Sequence, residues 1–251
     1  MAKKKQRLDT FLKESGLAPS RTKAQALIMA GNVLVNNAPV TKAGHLVSPS
    51  DEIILKGKQC PYVSRGGLKL EAALDHFDID VRKKVCIDVG ASTGGFTHCL
   101  LQKGARLVYA IDVGYGQLDW SLRNRDDVIN LEKTNIRHVT RDMFQPPPEI
   151  ATVDVSFISL KKVIPAIMPV MTPDGYQIIA LIKPQFEAGP SKVGKGGIVR
   201  SDEVRKEVIE DLKEFFASLG LDIHGVIPSP ITGAKGNKEY LIHLSSKGVT
   251  G

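Results

Sequence analysis

A chain of 251 residues with 42% hydrophobic content can bury one large core and one small accessory core, at the usual roughly 100–200 residues per domain. No run approaches the roughly 18 apolar residues of a membrane-spanning helix, and the start Met1 to Arg7 leads into no signal-peptide apolar stretch, so the expectation is a cytoplasmic protein with no membrane partner. Cys60, Cys86 and Cys99 form no C-x-x-C pair and leave one thiol over under any disulfide scheme, which points to reduced thiols and to no metal site. The net charge of +7 is unevenly placed: residues 1–70 hold 12 Lys or Arg against 4 Asp or Glu, and residues 71–251 hold 22 against 23. The positive excess sits on the first quarter of the chain, as expected of a segment that meets a polyanion. For Lys3, Lys4 and Lys5 alone, a solvated basic terminus is the plain alternative.

In chain order, Leu8, Phe11 and Leu12 fall at helical spacing, and Ser20 can cap a second helix with the stripe Ala24, Leu27, Ile28 and the stop Gly31. Val33-Leu34-Val35 then reads as a short strand before the turn Asn36-Asn37, and Ile53-Ile54-Leu55 as another. This string, from Leu8-Asp9 through Ser20-Arg21-Thr22-Lys23-Ala24 and Gly31 to Asn36, then Asp51-Glu52-Ile53, resembles the S4-type RNA-binding module of ribosomal proteins. The resemblance implies an α+β RNA-binding domain, with Arg7, Arg21 and Lys23 as candidate RNA contacts. At the start of the second helix, basic side chains and free backbone N–H groups both favour phosphate.

Periodicity lapses from Lys56 to Pro61, so the chain divides into residues 1–56, a linker over 57–63 and a second domain over 64–251. That domain starts with an amphipathic helix carrying Leu68, Leu70, Ala73 and Leu74, with Ser64 as its expected cap. Strands then alternate with helical patterns: Val85 to Val89, a glycine-rich loop, a helix from Phe96 to Gln102, Leu107 to Asp112, a third strand ahead of Asn135, Thr152 to Val155, and Gln177 to Ile182. A capped helix from Ser201 to Leu219 and the strands Ile223 to Ile227 and Tyr240 to Leu244 complete the pattern. Apolar runs of this length separated by helices predict an α/β fold with a mostly parallel seven-stranded sheet, buried on both faces.

The strongest single signal is Asp88-Val89-Gly90-Ala91-Ser92-Thr93-Gly94-Gly95-Phe96-Thr97, in which a buried strand ends in a glycine-rich turn and opens a helix. Such a turn lets a ligand approach unshielded backbone N–H groups. A dinucleotide fingerprint would need glycine where Ser92 stands, which counts against an oxidoreductase. The form resembles instead the first motif of class I S-adenosylmethionine-dependent methyltransferases with a Rossmann-like fold. The resemblance implies S-adenosylmethionine as cofactor and Asp88, Gly90, Ala91, Ser92, Gly94 and Gly95 as its cradle. Asp112, ending the second strand, is placed to accept hydrogen bonds from both hydroxyls of a ribose. Asn135, beyond the third strand, could recognise adenine or be an ordinary turn residue. Trp120 receives no role.

Lys69, Asp154, Lys183 and Glu239 sit on the first helix or at strand ends, and three of them can converge at the functional edge of a parallel sheet. In order they resemble the Lys-Asp-Lys-Glu tetrad of the FtsJ (RrmJ-like) ribose 2′-O-methyltransferases. Over essentially the whole chain the sequence resembles the TlyA family, haemolysin A-like proteins that join that catalytic domain to an S4-type module. The resemblance implies methyl transfer to a ribose 2′-hydroxyl of ribosomal RNA, on cytidine, with ribosomal RNA or ribosomal subunits as the partner. Methyl transfer from a sulfonium needs an aligned nucleophile and removal of its proton, and a lysine removes a proton only as the neutral amine. Neighbouring positive charge favours that form and carboxylates oppose it, so the sequence leaves the protonation state open. Lys183 is taken as the base, with Lys69, Asp154 and Glu239 orienting it and the ribose.

Arg65, beside the first helix, is a further candidate RNA contact. The stretch Pro190 to Arg200, with Lys192 and Lys195, is either a mobile basic loop that clamps RNA or a solvated connector. Two rival functions are a non-catalytic ribosome-assembly factor and a membrane-active haemolysin. The second lacks any spanning segment or strongly amphipathic cationic helix beyond the first domain. The modified nucleotide, the ribosomal subunit and the oligomeric state are not legible in the residues.

Overall fold

A computed structural model describes residues 5–49, 51–55, 60–233 and 236–248, and the chain divides into two compact units, Met1–Gln59 and Cys60–Gly251. Lys3 and Lys4 of the basic start and residues 56–59 around the expected linker lie outside the described residues.

The first unit runs β1 (Gln6–Arg7), α1 (Leu8–Glu14), α2 (Arg21–Met29), β2 (Val33–Val35), β3 (Ala38–Val40), β4 (Leu46–Val47) and β5 (Ile53–Leu55). Ser20 caps α2, its Oγ accepting the Lys23 backbone N–H at 3.2 Å. Asn36 and Asn37 have φ of 51° and 65°, the left-handed pair that a two-residue hairpin requires, and they fold β3 back onto β2. β2 is the centre of a three-stranded antiparallel sheet between β3 and β5, and β1 pairs with β4. The short β1, β3 and β4 were not expected, because two or three residues carry no readable alternation. Leu8, Leu12, Ala24, Ile28, Val33, Val35 and Val47 form one buried cluster under the helices.

The second unit runs α3 (Gly66–His76), β6 (Val85–Val89), α4 (Gly95–Gln102), β7 (Leu107–Ile111), α5 (Trp120–Arg123), β8 (Val128–Leu131), β9 (Ile150–Val153), α6 (Leu160–Ile167), β10 (Gln177–Ile182), α7 (Pro184–Glu187), α8 (Asp202–Ser218), β11 (Leu221–Pro228) and β12 (Tyr240–Ser246). Its sheet has the order β11-β12-β10-β9-β6-β7-β8; the five strands from β10 to β8 are parallel, β12 runs antiparallel to both of its neighbours, and β11 therefore shares the direction of the other five. Along β6, Val85, Ile87 and Val89 join one buried cluster and Cys86 another, so both faces are covered. The chain leaves β6 for β7 on one side and reaches β9 on the other, so the crevice at the strand ends opens between β6 and β9.

Two local expectations need correction. Ser64 does not cap α3: Arg65 stands at the cap without a side-chain hydrogen bond. The Ser64 hydroxyl instead fills the place where a Cβ on Gly95 would sit, 2.2 Å away, in the close crossing of α3 and α4. Residues 60–63, read as linker, pack within the second unit, where Tyr62 is buried and occupies space left by Gly67, whose Cβ would lie 2.3 Å from the ring.

Candidate active site

Two clefts open at the ends of the parallel strands and share a wall made of Gly90, Ser92, Asp154 and Ser156. One, of about 470 Å³, is lined by Val89, Ile111, Val113 and Ile136 together with Asp112, Thr134 and Asn135. The other, of about 410 Å³, is lined by Arg65, Lys69, Phe96, Lys183 and Thr232 among others.

The glycine-rich turn is built for close approach. Gly90 has φ of 85°, and a Cβ there would lie 2.6 Å from the Asp154 backbone oxygen, so only glycine lets the ends of β6 and β9 meet. Ser92, with φ of 48°, turns its N–H onto Asp112 Oδ2 at 2.8 Å, and the Gly114 N–H donates to Oδ1 at 2.7 Å. Asp112 is thereby held at the mouth of the first cleft with lone pairs to spare, since a carboxylate accepts about four hydrogen bonds. Asn135 lines the same cleft, its Oδ1 accepting the Arg137 N–H at 3.1 Å. An apolar slot ending in a ribose-height carboxylate and an amide fits the nucleoside of S-adenosylmethionine.

Not every residue of the motif faces a ligand. Asp88 is fully buried and lines neither cleft; its Oδ2 accepts the Thr97 N–H at 2.9 Å and the Thr97 hydroxyl at 2.7 Å, which anchors the start of α4 to the end of β6. Burial pushes its carboxyl up to about 7 against the pull of those hydrogen bonds. Gly94, with φ of 95°, also lies away from both clefts, and a Cβ there would meet Leu122 at 2.4 Å and Leu118 at 2.8 Å. Its glycine serves packing. Ala91 and Gly95 line the second cleft.

The tetrad assembles as two ion pairs. Asp154 follows β9, Lys183 follows β10, and Glu239 precedes the antiparallel β12, so all three reach the same sheet edge, where α3 delivers Lys69. Lys183 Nζ lies 2.6 Å from Asp154 Oδ1, and Lys69 Nζ donates to Glu239 Oε2 at 2.6 Å. Glu239 lines neither cleft; it sits behind Lys69, with Gln185 Nε2 at 3.4 Å from its other oxygen and Gly233 packed so closely that a Cβ would clash at 1.9 Å. Of the expected orienting residues, therefore, Asp154 is the one paired with Lys183, while Lys69 and Glu239 pair with each other. Ser156, which sequence reasoning did not single out, also holds Lys183, its Oγ accepting from Nζ at 2.9 Å.

Arg65 is exposed on the second cleft. In the first unit Arg7 and Arg21 converge on one buried carboxylate, Asp9, each at 3.0 Å, and Lys23 is exposed on the first turn of α2. The Arg7 guanidinium, aided by Gln25 and Arg21, holds the Asp9 carboxyl well below the usual range despite its burial. The stretch after Pro190 is pinned rather than loose: Gly194 bridges Ile198, and buried Asn237 accepts the Val199 N–H at 3.1 Å and donates to the Gly197 oxygen at 2.9 Å.

Fold and site together define a Rossmann-like S-adenosylmethionine-dependent methyltransferase domain, preceded by a small RNA-binding domain. Residues 62–246 match the FtsJ-like methyltransferase family and residues 6–53 the S4 domain. The chain is 48% identical over 245 residues to YqxC of Bacillus subtilis, covering 97% of this chain and 87% of that protein. It is 41% identical over 242 residues to the 16S/23S rRNA (cytidine-2′-O)-methyltransferase TlyA of Mycobacterium tuberculosis, covering 96% and 90%. A solved Streptococcus thermophilus structure that carries a haemolysin name matches with a TM-score of 0.77 at 43% identity, over 97% of this chain and 89% of that one. The chain belongs to the FtsJ-like methyltransferase family, in the TlyA branch that joins this domain to an S4 domain, and its methyl donor is S-adenosylmethionine.

Proposed function

We propose that the protein methylates a ribose 2′-hydroxyl of cytidine in ribosomal RNA, in the cytoplasm and with ribosomal subunits as its partners. The observation that carries this reading is the shared wall: Asp154 and Ser156, the two groups on Lys183, face both the nucleoside cleft and the basic cleft beside it. Bound S-adenosylmethionine supplies an electrophilic methyl carbon on a sulfonium. Asp112 and Asn135 hold its ribose and base ends, and Gly90 keeps the boundary between the clefts open. Lys183 takes the proton of the 2′-hydroxyl at Nζ, and Asp154 balances the charge that results. Lys69, fixed by Glu239, faces the acceptor cleft, where its Nζ donates to the ribose or its phosphate. Arg65 on that cleft, and Arg7, Arg21 and Lys23 on the first domain, supply phosphate contacts.

The test is to map 2′-O-methyl marks in ribosomal RNA from cells with and without the gene, and to offer the purified enzyme an RNA with 2′-deoxyribose at the mapped position. Loss of the mark with the gene, and binding without methylation of the deoxy substrate, are expected. Methylation of the deoxy substrate would move the reaction off the ribose. The haemolysin name of the Streptococcus thermophilus structure raises membrane activity as a second reading. Among the described residues no helix is long and apolar enough to cross a membrane, and liposome leakage by the purified protein would favour that reading.

A further inference from the structure

Lys183 has two neighbours of different character. Asp154 Oδ1 is close, at 2.6 Å, yet it lies outside hydrogen-bond geometry and has no hydrogen-bond donor among the described residues. The contact supplies charge without direction. Ser156 Oγ, at 2.9 Å, accepts a directed hydrogen bond from Nζ. A lysine nitrogen is tetrahedral and turns freely about its last bond, so a charge alone leaves its lone pair unaimed, whereas a fixed acceptor sets the rotation.

The chain around Ser156 is shaped to hold that acceptor. The next residue, Phe157, has φ of 63° and is 89% exposed, a strained conformation for an aromatic residue that gains no burial from it. The far end of the turn is clamped to the segment carrying Lys183: the Ser159 hydroxyl donates to Glu187 Oε2 at 2.6 Å and the Leu160 N–H to Oε1 at 2.9 Å. Glu187 ends α7, which begins directly after Lys183. The turn and the lysine are thus one braced unit.

We propose that Ser156 is a positioning residue for methyl transfer, fixing the rotation of the Lys183 amine so that its lone pair faces the acceptor hydroxyl while Asp154 supplies the counter-charge. This rests on the reading of Lys183 as the base. Ser156 is itself exposed, so a threonine there keeps the acceptor oxygen and has room for its methyl group.

Full-length wild type, Ser156→Ala, Ser156→Thr and Lys183→Ala are compared in single-turnover transfer of labelled methyl groups to unmodified ribosomal subunits, at saturating S-adenosylmethionine, with cofactor affinity measured by calorimetry. Misaimed catalytic groups cost rates on the order of ten- to a hundredfold. Ser156→Ala is expected to slow the transfer step by about that factor with cofactor and RNA affinities unchanged, and Ser156→Thr to recover most of the rate. A normal rate in Ser156→Ala beside a dead Lys183→Ala overturns the positioning role alone. A loss in Ser156→Ala that follows weaker cofactor binding assigns Ser156 to the nucleoside cleft and overturns it as well. An active Lys183→Ala removes the base, and the proposal falls with it.

Discussion

Asp112 accepts two backbone N–H groups, one from Ser92 in the turn after β6 and one from Gly114 two residues further along its own strand end. Asp112→Ala should therefore both remove ribose acceptors and loosen the Ser92 turn. Hydrogen bonds to a charged group contribute about 1.5–3 kcal/mol, so calorimetry should show S-adenosylmethionine binding weakened roughly ten- to a hundredfold, with the fold retained; unchanged affinity would take Asp112 out of the site. Lys183→Ala should lower kcat by about 10²–10⁴ while cofactor and RNA affinities hold, the range of a lost general base. Lys183→Arg should be equally poor, because arginine keeps the charge but does not release a proton near neutral pH. Substantial turnover by the arginine variant would make the residue an electrostatic clamp instead.

Asp88 yields a prediction about pH. Its folded value of about 7 lies above the ordinary carboxylate range, so the folded state keeps a proton that the unfolded chain has already lost. The resulting stabilisation is full below about pH 4 and disappears as pH rises through about 7, at no more than about 1.4 kcal/mol per pH unit. Asp88→Asn should flatten this slope. Denaturant melts of both proteins at pH 5 and pH 8 should show the wild type losing stability relative to the variant; parallel pH dependences would mean that Asp88 is ionised in the folded state throughout.

At the scale of elements, the site exists because strands and helices approach more closely than side chains permit. Gly90→Ala would place a Cβ 2.6 Å from a backbone oxygen of the neighbouring strand end, at φ of 85°. The left-handed conformation costs about 1–2 kcal/mol and overpacking about 1–3 kcal/mol. The melting midpoint should fall by several degrees, with cofactor affinity lost as β6 and β9 part. A variant with wild-type midpoint and affinity would show that the strand ends have slack. Hydrophobic periodicity made the helix stripes and buried strands legible, and Ser20 and Ser201 cap as read. Sequence reasoning passed over α6, although Leu160, Val163, Ile164 and Ile167 keep helical spacing around its internal Pro165, and it did not foresee the cap-less start of α3, whose nearby serine serves the neighbouring helix.

At the scale of the whole molecule, the division of the chain sets where it can be cut. Residues 60–251 should fold and bind cofactor, whereas 64–251 lacks Tyr62 and the bonds from the Val63 N–H to His98 and from Gln102 to the Pro61 oxygen. Losing one buried aromatic side chain costs about 1.5–3 kcal/mol, so the shorter fragment should melt earlier. Both should bind RNA more weakly than the full chain, because residues 1–70 carry the positive excess. With log affinity changing by about 0.7–0.9 per phosphate contact for each tenfold change in salt, the slope should flatten measurably. Equal slopes for fragment and full chain would argue against the first domain as the RNA anchor.

The residues by themselves determined the two-domain order, the seven-stranded α/β sheet and the methyl-donor class, and they marked the four residues that meet at the sheet edge. Strand alternation, glycine-rich turns and strand-end charges are local patterns that survive in one dimension. Tertiary structure alone decided who pairs with whom. It split the tetrad into Lys69 with Glu239 and Lys183 with Asp154, placed Asp88 and Gly94 beneath the site instead of in it, and brought Ser156 to the lysine. Partners 27 to 170 residues apart in the chain are set by sheet order and helix crossing, and no local pattern encodes a distance of that kind.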